Sequence, residues 1–134
     1  MNRLLGHIEH LEISGDLTLV TVLLQGDIKI KAIVIDTPKS APYLEKNKKV
    51  AILFKETEVV IGDHNDHRVS LQNRMLGTLE TLDKGQLLSC LKIRTDAGQI
   101  RSTISTAAVL ALKLKPDMRI MAMVKLNEVM LSPL

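Results

Sequence analysis

The sequence predicts an all-β protein: two tandem OB-like five-stranded Greek-key barrels, each with one short helix. Three observations carry that expectation. The chain repeats itself almost end to end, its apolar segments are short and bounded by Gly, Asp and Asn turns, and each repeat orders three strands, a helix and two strands.

Asn2-Arg3-Leu4-Leu5-Gly6 matches Asn73-Arg74-Met75-Leu76-Gly77 at an offset of 71, and Glu9 and Leu11 then fall on Glu80 and Leu82. The best sequence match drops one residue in the next turn, so that Gly15-Asp16-Leu17 falls on Gly85-Gln86-Leu87 at an offset of 70. That register continues through Ile30-Lys31 on Ile100-Arg101 and Leu44 on Leu114. It ends with Lys55-Glu56-Thr57-Glu58-Val59 on Lys125-Leu126-Asn127-Glu128-Val129. The duplication divides the chain into a first domain at 1–62, a linker at 63–69 and a second domain at 70–134.

Each copy reads as strands in turn. Leu4 to Ile13 is extended, with Gly6 as a bulge or a point of close approach. A turn at Ser14-Gly15-Asp16 leads to Leu17–Leu24, rich in Val, Leu and Thr. Gln25-Gly26-Asp27 is a hairpin signal, and Ile28-Lys29-Ile30-Lys31 alternates as a half-buried strand does. Asp36-Thr37-Pro38 reads as a helix start, with Thr37 capping and Pro38 in the first turn; its partner, Ser105 to Leu112, is Ala- and Leu-rich. Lys48-Lys49 is a turn before the apolar strand Val50–Phe54, and Glu58–Ile61 forms a short last strand.

Of the 134 residues, 46% are apolar, but Tyr43 and Phe54 are the only aromatics. The core is therefore built from Leu, Ile, Val, Met and Ala. Halves of about 65 residues are near the size at which a lone core becomes marginal. Leu17–Leu24 and Ile120-Met121-Ala122-Met123-Val124 are also apolar on both faces, where a strand half-facing water would alternate. Both features point to packing between the copies and in a homo-oligomer, a dimer or trimer.

No run approaches the roughly 20 apolar residues of a membrane span, and neither a signal peptide nor a lipidation motif is present. Cys90 is the only cysteine, which fits a cytoplasmic setting. The repeat sets Cys90 opposite Val20, which predicts a thiol in the core. The net charge of +3 is uneven: 8 Lys+Arg against 9 Asp+Glu up to His64, then 10 against 6.

No nucleophile elbow, phosphate loop or metalloprotease pattern occurs, so the sequence predicts no enzyme and no catalytic residues. His7 and His10, three apart on a strand, are expected on opposite faces. Asp63-His64-Asn65-Asp66-His67 has metal-binding residue types, but a polar linker explains it, and no metal is expected. An oligonucleotide-binding barrel stacks bases on aromatics in a positive groove, a platform that two aromatics cannot furnish. An oxyanion instead needs fixed positive charge and several hydroxyl or amide donors. Lys55 with Thr57, and Lys125 with Asn127, place an ammonium and a polar donor two residues apart between the last two strands of each copy. On the residues alone, a plain surface lysine at a turn is the better explanation of each pair.

With these motifs the sequence resembles the tandem Mop/TOBE (di-Mop) molybdate-binding family over almost its whole length. The family opening, Ser-x-Arg-Asn-x-Leu-x-Gly, is carried by Ser70-Leu71-Gln72-Asn73-Arg74-Met75-Leu76-Gly77, and the first copy keeps Asn2-Arg3-Leu4-Leu5-Gly6. The family closing, Lys-Ala-Ser-Glu-Val-Met, is matched by Lys55–Ile61 and Lys125–Leu131. The resemblance implies an OB-like fold and cytoplasmic binding of molybdate or tungstate, with no organic cofactor. It also implies oligomers with oxyanion sites between domains or subunits, for storage, homeostasis or sensing. It assigns the oxyanion to Lys55, Thr57, Ser70, Lys125 and Asn127, with Asn73 positioning its strand. Gln72 stands where the family has arginine, Ser70 has no first-copy equivalent, and a family serine after the third strand falls on Pro38 and Ala108. Fewer donors survive than in a full site. An oligomerising or regulatory module that has lost its ligand, such as the effector region of a molybdate-responsive regulator, therefore stays open beside the binding protein.

Overall fold

The computed structural model describes residues 1–65 and 68–134. The first half forms β1 (Asn2–Ser14), β2 (Leu17–Leu24), β3 (Lys29–Val34), β4 (Lys49–Phe54) and β5 (Val60–Asp63). The second forms β6 (Asn73–Lys84), β7 (Leu88–Thr95), β8 (Gly98–Ser105), the helix α1 (Thr106–Ala111), β9 (Arg119–Val124) and β10 (Met130–Pro133). A 3₁₀ turn, Glu56–Glu58 or Leu126–Glu128, precedes the last strand of each half.

The strands make two five-stranded sheets, and neither is confined to one half. Their orders are β10-β4-β1-β2-β3 and β5-β9-β6-β7-β8. The last strands are exchanged: β10 pairs antiparallel with β4, and β5 with β9. In each sheet the exchanged strand also approaches the opposite edge, β10 towards β3 and β5 towards β8, which curls the sheet into an OB-like barrel. The exchange covers the open edges of β4 and β9, whose N–H and C=O groups would otherwise lack partners. It also merges the apolar interiors of both halves into one continuous core. A half too small to be comfortable alone thus gains its fifth strand from its twin.

Strand pairing relocates the dropped residue of the repeat. Gly6 pairs with Leu24 and Gly77 with Thr95, and Ile8 pairs with Val22 and Leu79 with Ile93. The offset in β2 and β7 is therefore still 71. It becomes 70 only in the following hairpin, where the 3₁₀ turn Gln25–Asp27 is matched by the two-residue Asp96-Ala97 connection between Thr95 and Gly98. Matching Gly15 to Gly85 by identity placed the gap one hairpin too early. The consequence is a correction at Cys90. Its structural equivalent is Leu19, not the fully buried Val20, and its thiol is exposed, 3.6 Å from the Thr103 hydroxyl.

The two opening strands share a second device. Pairing shifts between Ile8 and His10 and between Leu79 and Thr81, so Glu9 and Glu80 are bulged residues. Ile8 is fully buried and Leu11 packs against the core, which an unbroken alternation would not allow. The bulge turns Glu9 and His10 outward together, so His7 and His10 share a face, contrary to the expected alternation. Gly6 is a point of close approach instead: a Cβ there would run into the Leu23 carbonyl and the Val22 side chain.

Only one of the two expected helices forms. Ser105 caps α1 by accepting a hydrogen bond from the Ala108 N–H at 3.0 Å. The first half has Ile35 at the equivalent position, which has no side-chain acceptor, and Thr37 does not replace it: its own N–H donates to the Ser40 hydroxyl. The chain makes one turn, Ala41 N–H to Thr37 C=O at 2.8 Å, and then meets Pro42, which cannot continue a helix and disfavours helical geometry at Ala41. Leu44 and Leu114 nonetheless reach the core from either connection. Asn47 and Asp117 both take positive φ, and their N–H groups bond to the Ile8 and Leu79 carbonyls at 2.7 Å.

The exchange makes a prediction. Removing residues 129–134 deletes β10 and should deprotect β4 in the first sheet while β9 in the second stays protected. Amide hydrogen exchange of the truncated chain measures this; faster exchange confined to β9 would contradict the strand assignment.

Candidate oxyanion site

Each barrel begins its first strand with a buried asparagine that reaches into the other half. The Asn73 amide donates to the Lys31 carbonyl and its oxygen accepts from the Lys31 N–H, both at 2.8 Å. Asn2 does the same to the Arg101 carbonyl and N–H, again at 2.8 Å each. Lys31 and Arg101 lie at equivalent positions of β3 and β8, so the two clamps are related by the repeat. A planar side-chain amide suits this task, because it offers one donor and one acceptor spaced like those of a peptide group. The second half adds a further tie, the Ser102 hydroxyl donating to the Val59 carbonyl at 3.0 Å. Ala32 holds the equivalent position in the first half.

The clamps stand beside the predicted site turns. Asn2 pairs with Phe54 and Asn73 with Val124, so Lys55 and Lys125 are the first residues beyond the sheet at those ends. Lys55 (φ −72°, ψ 145°) and Lys125 (φ −73°, ψ 149°) have nearly the same backbone conformation. Each accepts the Glu N–H three residues on, Glu58 or Glu128, at 3.0 Å. Both lysines, Thr57 and Asn127 are exposed. Among the described residues neither ammonium has a carboxylate partner; Glu56, beside Lys55, is instead 3.6 Å from the N-terminal amine.

The strand exchange brings the two turns to one place. β5 starts at Val60 opposite Met123, and β10 starts at Met130 opposite Leu53. Both turns therefore leave their sheets at the crossover of the two exchanged strands. The Glu56–Glu58 turn packs on β8 of the opposite half, and the Leu126–Glu128 turn packs on β3. Four of the five expected site residues, Lys55, Thr57, Lys125 and Asn127, thus belong to one crossover region.

Ser70 stands apart on different grounds. It is exposed in the segment before β6, which Arg74 holds by donating to the Leu71 carbonyl at 2.8 Å and the Val69 carbonyl at 3.3 Å. No hydrogen bond links Ser70 to either turn among the described residues. Of the histidine run in the linker, His64 is exposed, and Asp66 and His67 lie outside the described residues.

Two features of this region were not singled out from the sequence. One is the role of Asn2 as a clamp equal to Asn73. The other is the pair Lys31 and Arg101, which the clamps hold against the turns. Their signal was the recurrence of a cation in Ile30-Lys31 and Ile100-Arg101, which marks the repeat but reads as an ordinary solvated strand face.

The TOBE domain family model matches this chain twice, at residues 1–61 and 70–131. The chain belongs to the TOBE domain family. No match is found among curated protein sequences. Among solved structures, this TOBE protein is similar to a crystal form of the cytoplasmic molybdate-binding protein ModG with molybdate bound. The TM-score is 0.91 at 27% sequence identity, over 99% of this chain and 96% of ModG. The similarity spans both TOBE repeats.

The clamps carry a stability prediction. Asn73 is only 1% exposed, so Asn73→Ala leaves the N–H and C=O of Lys31 without partners, at a cost of about 1–3 kcal/mol. Urea unfolding should show that loss; an unchanged midpoint would mean the clamp contributes nothing net.

Proposed function

We propose that this TOBE protein binds molybdate, or the like-shaped tungstate, in the cytoplasm for storage, homeostasis or sensing, with sites at domain and subunit interfaces. The single observation that supports it best is the likeness to molybdate-bound ModG over almost both entire chains. The site chemistry agrees. A tetrahedral dianion leaving water must be met by positive charge and donors, because an unpaired charge in low dielectric is very costly. Lys55 and Lys125 provide ammonium groups without a carboxylate partner among the described residues, with Thr57 and Asn127 as neutral donors and Ser70 as a further hydroxyl. Capture is reversible and no bond of the oxyanion is broken.

The reading includes self-association. Leu5, Val60, Leu76 and Met130 are each 40% or more exposed. They occupy repeated positions, Leu5 with Leu76 and Val60 with Met130, on the outer faces of the two sheets. Apolar surface left at matching places on both barrels supports a homo-oligomer, dimer or trimer, in which sites between subunits are completed. The mass of one chain is 14.9 kDa, and light scattering at micromolar concentration should give a multiple of it. A mass equal to one chain would remove the subunit-interface sites from the proposal.

Asn127, a poorer stand-in for a hydroxyl, and Gln72, where the family has arginine, favour one alternative: a regulatory or oligomerising module without ligand. Titration calorimetry with molybdate separates the two. Lys55→Met and Lys125→Met should each weaken or abolish a subset of sites by about tenfold or more, from roughly 1.5–3 kcal/mol per charge-assisted hydrogen bond. Lys84→Met, at the far end of β6, should bind as the parent does. Undiminished affinity and stoichiometry in all three would sink the assignment of the lysines.

A further inference from the structure

The TOBE pattern supplies one lysine per repeat, and in this chain the opening arginine of that pattern is replaced by Gln72. The structure assigns a second cation to each site: we propose that Arg101 and Lys31 bind the oxyanion together with Lys55 and Lys125 respectively, each reaching the turn contributed by the opposite half. This rests on the proposed oxyanion function and names residues for it beyond the family pattern.

The placement of Arg101 is over-determined. Its N–H and carbonyl are gripped by Asn2, whose strand neighbour is Phe54, the residue before Lys55. The next residue, Ser102, is tied to the Val59 carbonyl at the other end of the same turn. Arg101 is thus flanked by anchors to both ends of the segment carrying Lys55 and Thr57. In β8, Ile100 and Ser102 are buried whereas Arg101 is exposed, so its guanidinium projects from the outer face and not into the core. Lys31 stands in the same relation to Asn73, Val124 and the Lys125 turn, which packs on β3.

Neither Arg101 nor Lys31 has a carboxylate partner among the described residues, although β3 contains one cation that does: Lys29 is 3.3 Å from Glu9. Glu58 and Glu128 on the turns offset part of the positive charge, and Glu56 is engaged by the N-terminal amine. With one lysine alone, each turn would carry no net positive charge to offer a dianion. The second cation reverses that balance. A guanidinium also presents several donors in a fixed fork suited to tetrahedral oxyanions, whereas an ammonium acts as a point charge. The two sites are therefore unequal, with the Arg101 site the more discriminating.

Titration calorimetry of the full chain with sodium molybdate tests this, using the parent, Arg101→Gln, Arg101→Lys and Lys31→Gln. Arg101→Gln and Lys31→Gln should each weaken a different subset of sites about tenfold. Arg101→Lys should recover most of the loss. Melting temperatures without molybdate should be unchanged for the variants of the exposed Arg101 and little changed for Lys31→Gln, where the side chain is half-buried and the glutamine keeps most of its length. A parent that binds while both glutamine variants keep its affinity and stoichiometry would overturn this inference and leave the oxyanion function standing. A fall in ligand-free melting temperature that tracks the loss of binding would overturn it in favour of a structural role. A parent that fails to bind molybdate would overturn both.

Discussion

Everything in this molecule follows from the exchange of last strands between two copies of a domain too small to be self-sufficient. β4 and β9 each have an edge left open by the departure of their own half's last strand, and β10 and β5 cover these edges crosswise. Because the last strand of each half departs for the other sheet, the short turn before it must lie at the boundary. The lysines that open those turns are there for a topological reason.

The asparagine clamps complete the same logic in a polar currency. Non-directional burial unites the two apolar interiors but does not fix the register of one half on the other. Asn2 and Asn73 do, since a side-chain amide bonded to both groups of one peptide accepts a single position along a strand. Every buried side-chain polar atom in the described residues has a partner, as a uniquely set interface requires. Register at the boundary also places two cations, because the peptides that are gripped belong to Lys31 and Arg101.

The two halves have diverged around the exchanged turns and the strands they pack on. Thr57 is matched by Asn127, Lys31 by Arg101, Ala32 by Ser102, and Ile35 by the helix-capping Ser105. The second half has the better helix, the extra tie to the opposite turn and the guanidinium. Duplication within one chain permits such divergence, since each copy can change without altering the other. A symmetric assembly of single domains has no such freedom.

The repeat, the strand order and the closing lysine motifs were legible in the sequence because each is a local pattern: alternation, turn residues, and identities that recur at a fixed offset. Asn73 was legible as a positioning residue, and the apolar two-faced strands announced contact between halves. Other features depend on what one segment meets in another. The gap in the repeat was placed at the wrong hairpin because matching glycines outweighed pairing, which alone shows that Cys90 follows Leu19 and faces solvent. The bulge at Glu9 put His7 and His10 on one face, and Pro42 with Ile35 removed a helix that Thr37 and Pro38 advertised. By itself, then, the sequence determined the class of fold, the duplication and the residue types offered to an oxyanion. Tertiary structure decided which strand completes which barrel, and with it which cation stands beside which turn. Strand exchange is a choice between equivalent edges, and the two copies are too alike for sequence to distinguish an edge in one half from its twin in the other.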